Sequence, residues 1–108
     1  MNNLNTVLIE GKMATEMSVA TIKGTPTGVL NVRNEREYYE NGKLRKDGDV
    51  FSAYIYGNLI EPCRNILRKG SAVRLVGRLK QFSYTVGGEL AHKTVIVAEH
   101  IEFVPKAV

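Results

Sequence analysis

Leu67-Arg68-Lys69-Gly70-Ser71-Ala72-Val73-Arg74-Leu75-Val76-Gly77-Arg78-Leu79 is the stretch on which the fold of this chain turns, because a helical period ends in it and a strand period begins. Upstream, Leu59, Ile60, Cys63, Ile66 and Leu67 recur at the spacing of one apolar helix face. Pro62 sits early in that helix, where a missing N–H costs least, and Gly70 follows Lys69 as its terminator. Downstream, Ser71 to Tyr84 reads as a long strand. Its alternation puts Val73, Leu75, Gly77 and Leu79 in a core row and turns Arg74, Val76, Arg78, Lys80, Phe82 and Tyr84 outward.

Working outward, the rest of the chain is strand and turn. Asn5 to Gly11 and Thr15 to Lys23 are β-prone, and Gly24-Thr25-Pro26-Thr27-Gly28 is a cluster of turn formers. Val29 to Arg36 is a further strand, running into a charged hairpin over Glu37 to Asp49 with Asn41-Gly42 and Asp47-Gly48 as its turn dipeptides. Val50 to Gly57 is a tyrosine-rich strand with Phe51, Ala53 and Ile55 inward and Val50, Ser52, Tyr54 and Tyr56 outward. After the long strand come a Gly87-Gly88 turn and a last strand, Thr94 to Val104, which Pro105 ends. One helix between the third and fourth of five major strands predicts a mainly all-β fold, a five-stranded Greek-key OB-type barrel. An SH3-like barrel has no place for a helix there.

The length of 108 residues fits one domain, expected over 1–105 with a short remnant at 106–108, and the 44% hydrophobic content can fill a core. A single cysteine excludes an intrachain disulfide or a thiolate metal cluster. No apolar run approaches the ~20 residues of a membrane span, and the N-terminus lacks the pattern of a signal peptide. A cytoplasmic protein without membrane contact is the expectation. The net charge of +4 permits an anionic partner without requiring one.

The distribution of charge says more than its sum. Between Pro62 and Gly88 stand Arg64, Arg68, Lys69, Arg74, Arg78 and Lys80 with no acid among them. Cations with outward aromatics suit a single-stranded nucleic acid, whose phosphates need neutralising and whose bases stack on rings at about 1–3 kcal/mol each. The candidate surface comprises Arg74, Arg78, Lys80, Phe82 and Tyr84 on one strand and Tyr54 and Tyr56 on another. Arg33, Arg36, Tyr38, Tyr39, Lys43, Arg45 and Lys46 add a basic, aromatic arm. The competing reading is a solvated or subunit-covered face. His92, His100 and Cys63 have no partner at catalytic spacing, and Gly87-Gly88 lacks the features of a phosphate loop, so neither an enzyme, a metal nor a cofactor is expected.

The opening stretch also resembles bacterial-type single-stranded DNA-binding proteins, whose pattern Leu-x-Lys-Gly-Ser-x-Val-x-(aliphatic)-x-Gly-Arg-Leu it matches at every fixed position. Asn5-Thr6-Val7-Leu8-Ile9-Glu10-Gly11 is similar to that family's Asn-x-Val-x-Leu-x-Gly start, and Asn34-Glu35 and Tyr56-Gly57-Asn58-Leu59 resemble it as well. The resemblance runs over about residues 3 to 104. It implies an OB barrel that binds and protects single-stranded DNA without sequence preference in replication, recombination and repair. It also implies a nucleoid-associated homo-oligomer, a tetramer or a dimer.

By the same resemblance Tyr56 stands at a stacking Phe position and Tyr84 at a stacking Trp position. Val50 and Glu37 fall where the family has further tryptophans; Tyr38 or Tyr39 replaces the latter, and only Tyr54 lies near the former. The chain has no tryptophan, which implies weaker affinity per nucleotide. Its final residues, Val104 to Val108, lack the family's acidic, Phe-ended tip, so recruitment of other proteins through such a tip is not expected. An OB-fold interaction module of the primosome type and a single-stranded RNA binder are the alternatives.

Overall fold

The computed structural model describes residues 1–104, so Pro105 and the remnant at 106–108 lie outside it. Six strands form: β1 (Val7–Met13), β2 (Ser18–Ile22), β3 (Thr25–Glu40), β4 (Lys43–Ile55), β5 (Ala72–Val86) and β6 (Glu89–Phe103). A 3-10 turn, Gly57–Leu59, and one helix, α1 (Ile60–Ile66), lie between β4 and β5. The sheet runs β1-β5-β6-β4-β3 and closes through a β1–β3 pairing. Both β1 and β2 pair antiparallel with β3, so they are one strand interrupted over 14–17. With that strand counted once, the architecture is the expected five-stranded barrel of the OB type, with a parallel β4–β6 pair at its closure.

The barrel is filled by Met13, Leu30, Val32, Ala53, Ile55, Val73, Leu75, Ile96 and Ala98. Cys63 and Leu67, one turn apart, bring α1 and its C-cap onto this core. Burying each large aliphatic side chain contributes about 1.5–3 kcal/mol. Burial also pushes the Cys63 thiol up.

Several expectations are corrected. The helix is shorter than its apolar period suggests, because Leu67 turns to an extended backbone and caps it. Gly70 therefore sits in the following turn, where its N–H donates to the Met13 carbonyl at 2.8 Å, and Ile66 lies outside the core. The cluster Gly24-Thr25-Pro26-Thr27-Gly28 is mostly strand, since residues from Thr25 onward pair with β2 and only Lys23-Gly24 turns. Asp47-Gly48 is likewise inside β4, opposite Arg36 and Glu35. One tight turn is enough: Asn41 and Gly42 have φ of 51° and 75°, the left-handed pair that a two-residue hairpin requires. The Gly87-Gly88 turn does the same for β5 and β6, which starts the last strand at Glu89 rather than Thr94.

Leu79 and Phe51, expected in the core, are 48% and 40% exposed. Their parity is right, but they stand where the two long hairpins leave the barrel and no opposing layer remains to cover them. At the root of the β5–β6 hairpin the register shifts: Gly77 pairs with Ala98 and Val76 with His100, which leaves Glu99 as an extra residue on β6. A Cβ on Gly77 would collide with the Val97 carbonyl. Asn5 secures the same root from the other side. Its amide nitrogen donates to the Leu79 carbonyl and its amide oxygen accepts from the Leu79 N–H, both at 2.9 Å.

Gly77→Ala is expected to lower the urea midpoint by the equivalent of about 1–3 kcal/mol, the cost of overpacking. An unchanged midpoint would mean that β6 yields freely there. Cys63 is expected to resist a thiol reagent in the folded chain and to react once urea unfolds it.

Candidate nucleic-acid interface

The β5–β6 hairpin supplies the first part of the site. Its two-residue turn sets Phe82 opposite Lys93, Tyr84 opposite Ala91 and Lys80 opposite Val95. Side chains of opposed residues share a face, so Arg78, Lys80, Phe82 and Tyr84 stand together with Lys93. From β4, the Tyr54 ring meets Phe82 at 5.5 Å between centroids with planes inclined at 51°. Lys80 Nζ lies 5.8 Å from the Phe82 ring centre and Lys93 Nζ 5.9 Å from that of Tyr54, both at cation–π range. Two rings thus touch, each with an ammonium over it.

Tyr54 is not the open platform expected from its parity. It is only 6% exposed, because Phe82 and the outward Val95 and Val97 bury it in a small apolar layer outside the barrel. It packs against Phe82. Tyr84, 48% exposed near the hairpin tip, is the open ring. Tyr56 is half-buried, and partial burial, with Tyr54 nearby, pushes its hydroxyl up against a smaller opposing pull from Arg78. Arg78 itself is held by Glu99, the bulge residue, at 3.3 Å.

The β3–β4 arm divides the remaining residues between two faces. Register places Arg36, Tyr38, Lys43 and Arg45 on one and Arg33, Tyr39 and Lys46 on the other. On the first face Arg36 lies 4.7 Å over the Tyr38 ring, and among the described residues Arg36, Lys43 and Arg45 make no ion pair. On the second, Arg33 Nε donates to Glu35 at 2.8 Å, and Lys46 lies 3.8 Å from Glu35 and 4.0 Å from Glu37. Tyr39, 76% exposed, stands opposite Leu44 near the outer end of the arm. The hydrogen bond from Arg33, then the charge of Lys46, hold the Glu35 carboxyl below the usual carboxylate range.

Arg74 is separated from all of these. It is ten residues, roughly 33 Å of strand, from Tyr84. It bridges Glu10 at 2.7 Å and Glu102 at 3.0 Å on the β1–β5–β6 side of the barrel. Its charge is shared with these two carboxylates at the surface, as that of Arg78 is with Glu99. Lys93 is the residue that reading along single strands misses. Taking Gly87-Gly88 as a two-residue turn would have placed it opposite Phe82.

A closed OB barrel with an aromatic and basic outer face defines a class of proteins that bind oligomeric ligands along the strands of the sheet. The family model "Single-strand binding protein family" matches residues 4–104. The chain belongs to that family. It is 27% identical over 103 residues to a single-stranded DNA-binding protein of Aquifex aeolicus (strain VF5), covering 94% of this chain and 70% of the other. A single-stranded DNA-binding protein of Clostridium tetani (strain Massachusetts / E88) is 24% identical over 103 residues, covering 93% and 70%. Among solved structures, the Plasmodium falciparum SSB in complex with ssDNA superposes with a TM-score of 0.82 at 17% identity, over 97% of this chain and 98% of that one. The small single-stranded DNA-binding protein from Streptomyces coelicolor gives 0.72 at 19% identity, over 96% of both. At these identities the superpositions establish the shared fold.

Glu35 is expected to keep its charge as pH falls through the ordinary carboxylate range near 4.5. Stability from its ion pairs is present above that range and is lost only as pH drops through the lowered value. Arg33→Gln removes the main cause, so the Glu35 carboxyl should then titrate at higher pH, read by carbon NMR. No movement would mean that Lys46 alone sets it.

Proposed function

We propose that this chain binds single-stranded DNA without sequence preference through the face formed by Tyr54, Tyr56, Arg78, Lys80, Phe82 and Tyr84 together with Lys93. The basic side of the β3–β4 arm, with Arg36, Lys43 and Arg45, continues the parity of the core residues Leu30, Val32 and Ala53, and in this proposal it offers the strand a second surface apart from that face. Binding protects strands exposed during replication, recombination and repair and removes their secondary structure by mass action, without catalysis. The observation that carries this reading is the Tyr54–Phe82 pair with Lys80 and Lys93 beside it. Rings stack on any base and ammoniums answer any phosphate, so the surface has no means of reading one base in preference to another.

The chain works as a homo-oligomer in this proposal. The β1–β3 ladder covers only Lys12 and Met13, and apart from a bond from Asn34 to the Glu10 carbonyl the rest of β1 is open on that side. Leu8, on the same strand, is 69% exposed. An open strand edge beside an exposed leucine favours pairing with a second copy.

Anisotropy of labelled oligo-dT at two salt concentrations, with duplex DNA and oligo-U as competitors, tests the reading. Tight, salt-sensitive binding that duplex fails to displace is expected, and absence of binding at low salt would overturn it. Tyr84→Ala should cost about 1–3 kcal/mol with the salt slope unchanged. Lys80→Gln and Lys93→Gln should each flatten the slope of log K against log salt by about 0.7, the value per phosphate on a single strand. If all three variants bind like the parent, DNA lies elsewhere on the barrel.

A further inference from the structure

Strand β2 stands at the end of the sheet order and pairs only with β3. We propose that its outer edge joins two copies of this chain, antiparallel about a two-fold axis at Ala20, so that one sheet runs from barrel to barrel. The contact is separate from the β1 edge, needs no DNA and goes beyond the reading above.

The first support is the set of backbone groups left free. Lys23 and Gly24 have φ of 49° and 79°, the left-handed pair of a two-residue hairpin. The flanking Ile22 and Thr25 are therefore a hydrogen-bonded pair, and bonded and non-bonded pairs alternate from there. Thr21–Pro26 and Val19–Gly28 are the non-bonded ones. Pro26, with no N–H to give, suits such a place. The N–H and C=O groups of Val19 and Thr21 thus point away from β3 to the open edge, and among the described residues no other element bonds to them.

Composition marks the same edge. Ser18-Val19-Ala20-Thr21-Ile22 holds no charge, and its first four residues are exposed, Val19 at 42%. Open strand edges are ordinarily blunted by charged side chains. The other long open stretches follow that rule, with Glu10 on β1, Arg36 and Lys43 on the β3–β4 arm, and Lys80 and Lys93 on the β5–β6 hairpin. Strand β2 does not.

The order of residues in β2 selects the occupant. Two copies centred on Ala20 set Val19 of each opposite Thr21 of the other, so both edge-facing residues complete their hydrogen bonds. Their β-branched side chains then meet as cross-strand pairs. In the same register Ser18 falls opposite Ile22 and Met17 opposite Lys23, so no like charges are opposed. A contact that matches itself in this way is what a two-fold interface requires. Such an axis, perpendicular to the sheet, keeps its faces. Ser18, Val29 and Tyr54 share one row across β2, β3 and β4, so the Tyr54 sides of both barrels lie on one surface.

Disulfide trapping tests the register. Ala20 meets itself across the axis as a non-bonded pair, roughly 4.5 Å between Cα atoms, which a disulfide can span. Ser18 lies four residues along the strand from its counterpart, roughly 14 Å. Ala20→Cys is therefore expected to give a covalent dimer under mild oxidation and Ser18→Cys to give little, while the buried Cys63 adds no bridge. Adding Val19→Lys to Ala20→Cys should abolish the bridge, and adding Leu8→Lys, on β1, should leave it. By sedimentation velocity the parent should form a species that grows with concentration, and Val19→Lys should lose it with an unchanged urea midpoint. Equal bridging at positions 18 and 20 would mean random collision and overturn the contact. So would a bridge that Leu8→Lys removes, or no bridge at all. None of these results touches the binding of oligo-dT, which is read separately.

Discussion

At Gly77 two backbones approach so closely that one methyl group would strike the Val97 carbonyl. This contact marks where the barrel stops and the β5–β6 hairpin begins. The extra residue on the facing strand, Glu99, absorbs the mismatch and its carboxylate meets Arg78, the first cation of the outer face. Beyond this point every pairing follows from the bulge and the Gly87-Gly88 turn. The positions of Lys80, Phe82 and Tyr84 along the hairpin, and the contact of Phe82 with Tyr54 of β4, are therefore consequences of one close approach, and only glycine permits it.

The arm formed by β3 and β4 shows how a charged hairpin can contain two kinds of surface. Its turn fixes which residues oppose one another, and opposition decides which acids can reach which bases. On one side Glu35 and Glu37 consume Arg33 and Lys46, while on the other Arg36, Lys43 and Arg45 keep their charge available. A count of lysines and arginines along the hairpin treats these as equal. Their cross-strand neighbours make them different.

Much of this was legible in the sequence, and the failures have physical causes. The barrel, the place of its helix and the outward direction of Arg78, Lys80, Phe82 and Tyr84 follow from period and parity alone. Parity cannot tell that Tyr54 is covered, because Phe82 reaches it from a strand that is not its neighbour in the sheet. Nor can it tell that Arg74 is paired, since its carboxylates come from Glu10 and Glu102, at opposite ends of the chain. Leu79 and Phe51 have core parity, but the barrel ends before it can cover them. The hairpin partners were available in principle, since two-residue turns at Asn41-Gly42 and Gly87-Gly88 determine them. What local reading lacks is the distant strand.

Asn5 gives the molecule an unusual mechanical layout. Its side chain stands in for a strand residue, closing two hydrogen bonds on Leu79 at the root of the β5–β6 hairpin. Tension applied at the N-terminus is therefore borne first by the base of the aromatic hairpin, before the β1–β5 ladder takes any load. A tether at that end would pull on the hairpin that carries Phe82 and Tyr84. A tether at the Asn41-Gly42 tip would instead draw on the arm and leave that hairpin slack.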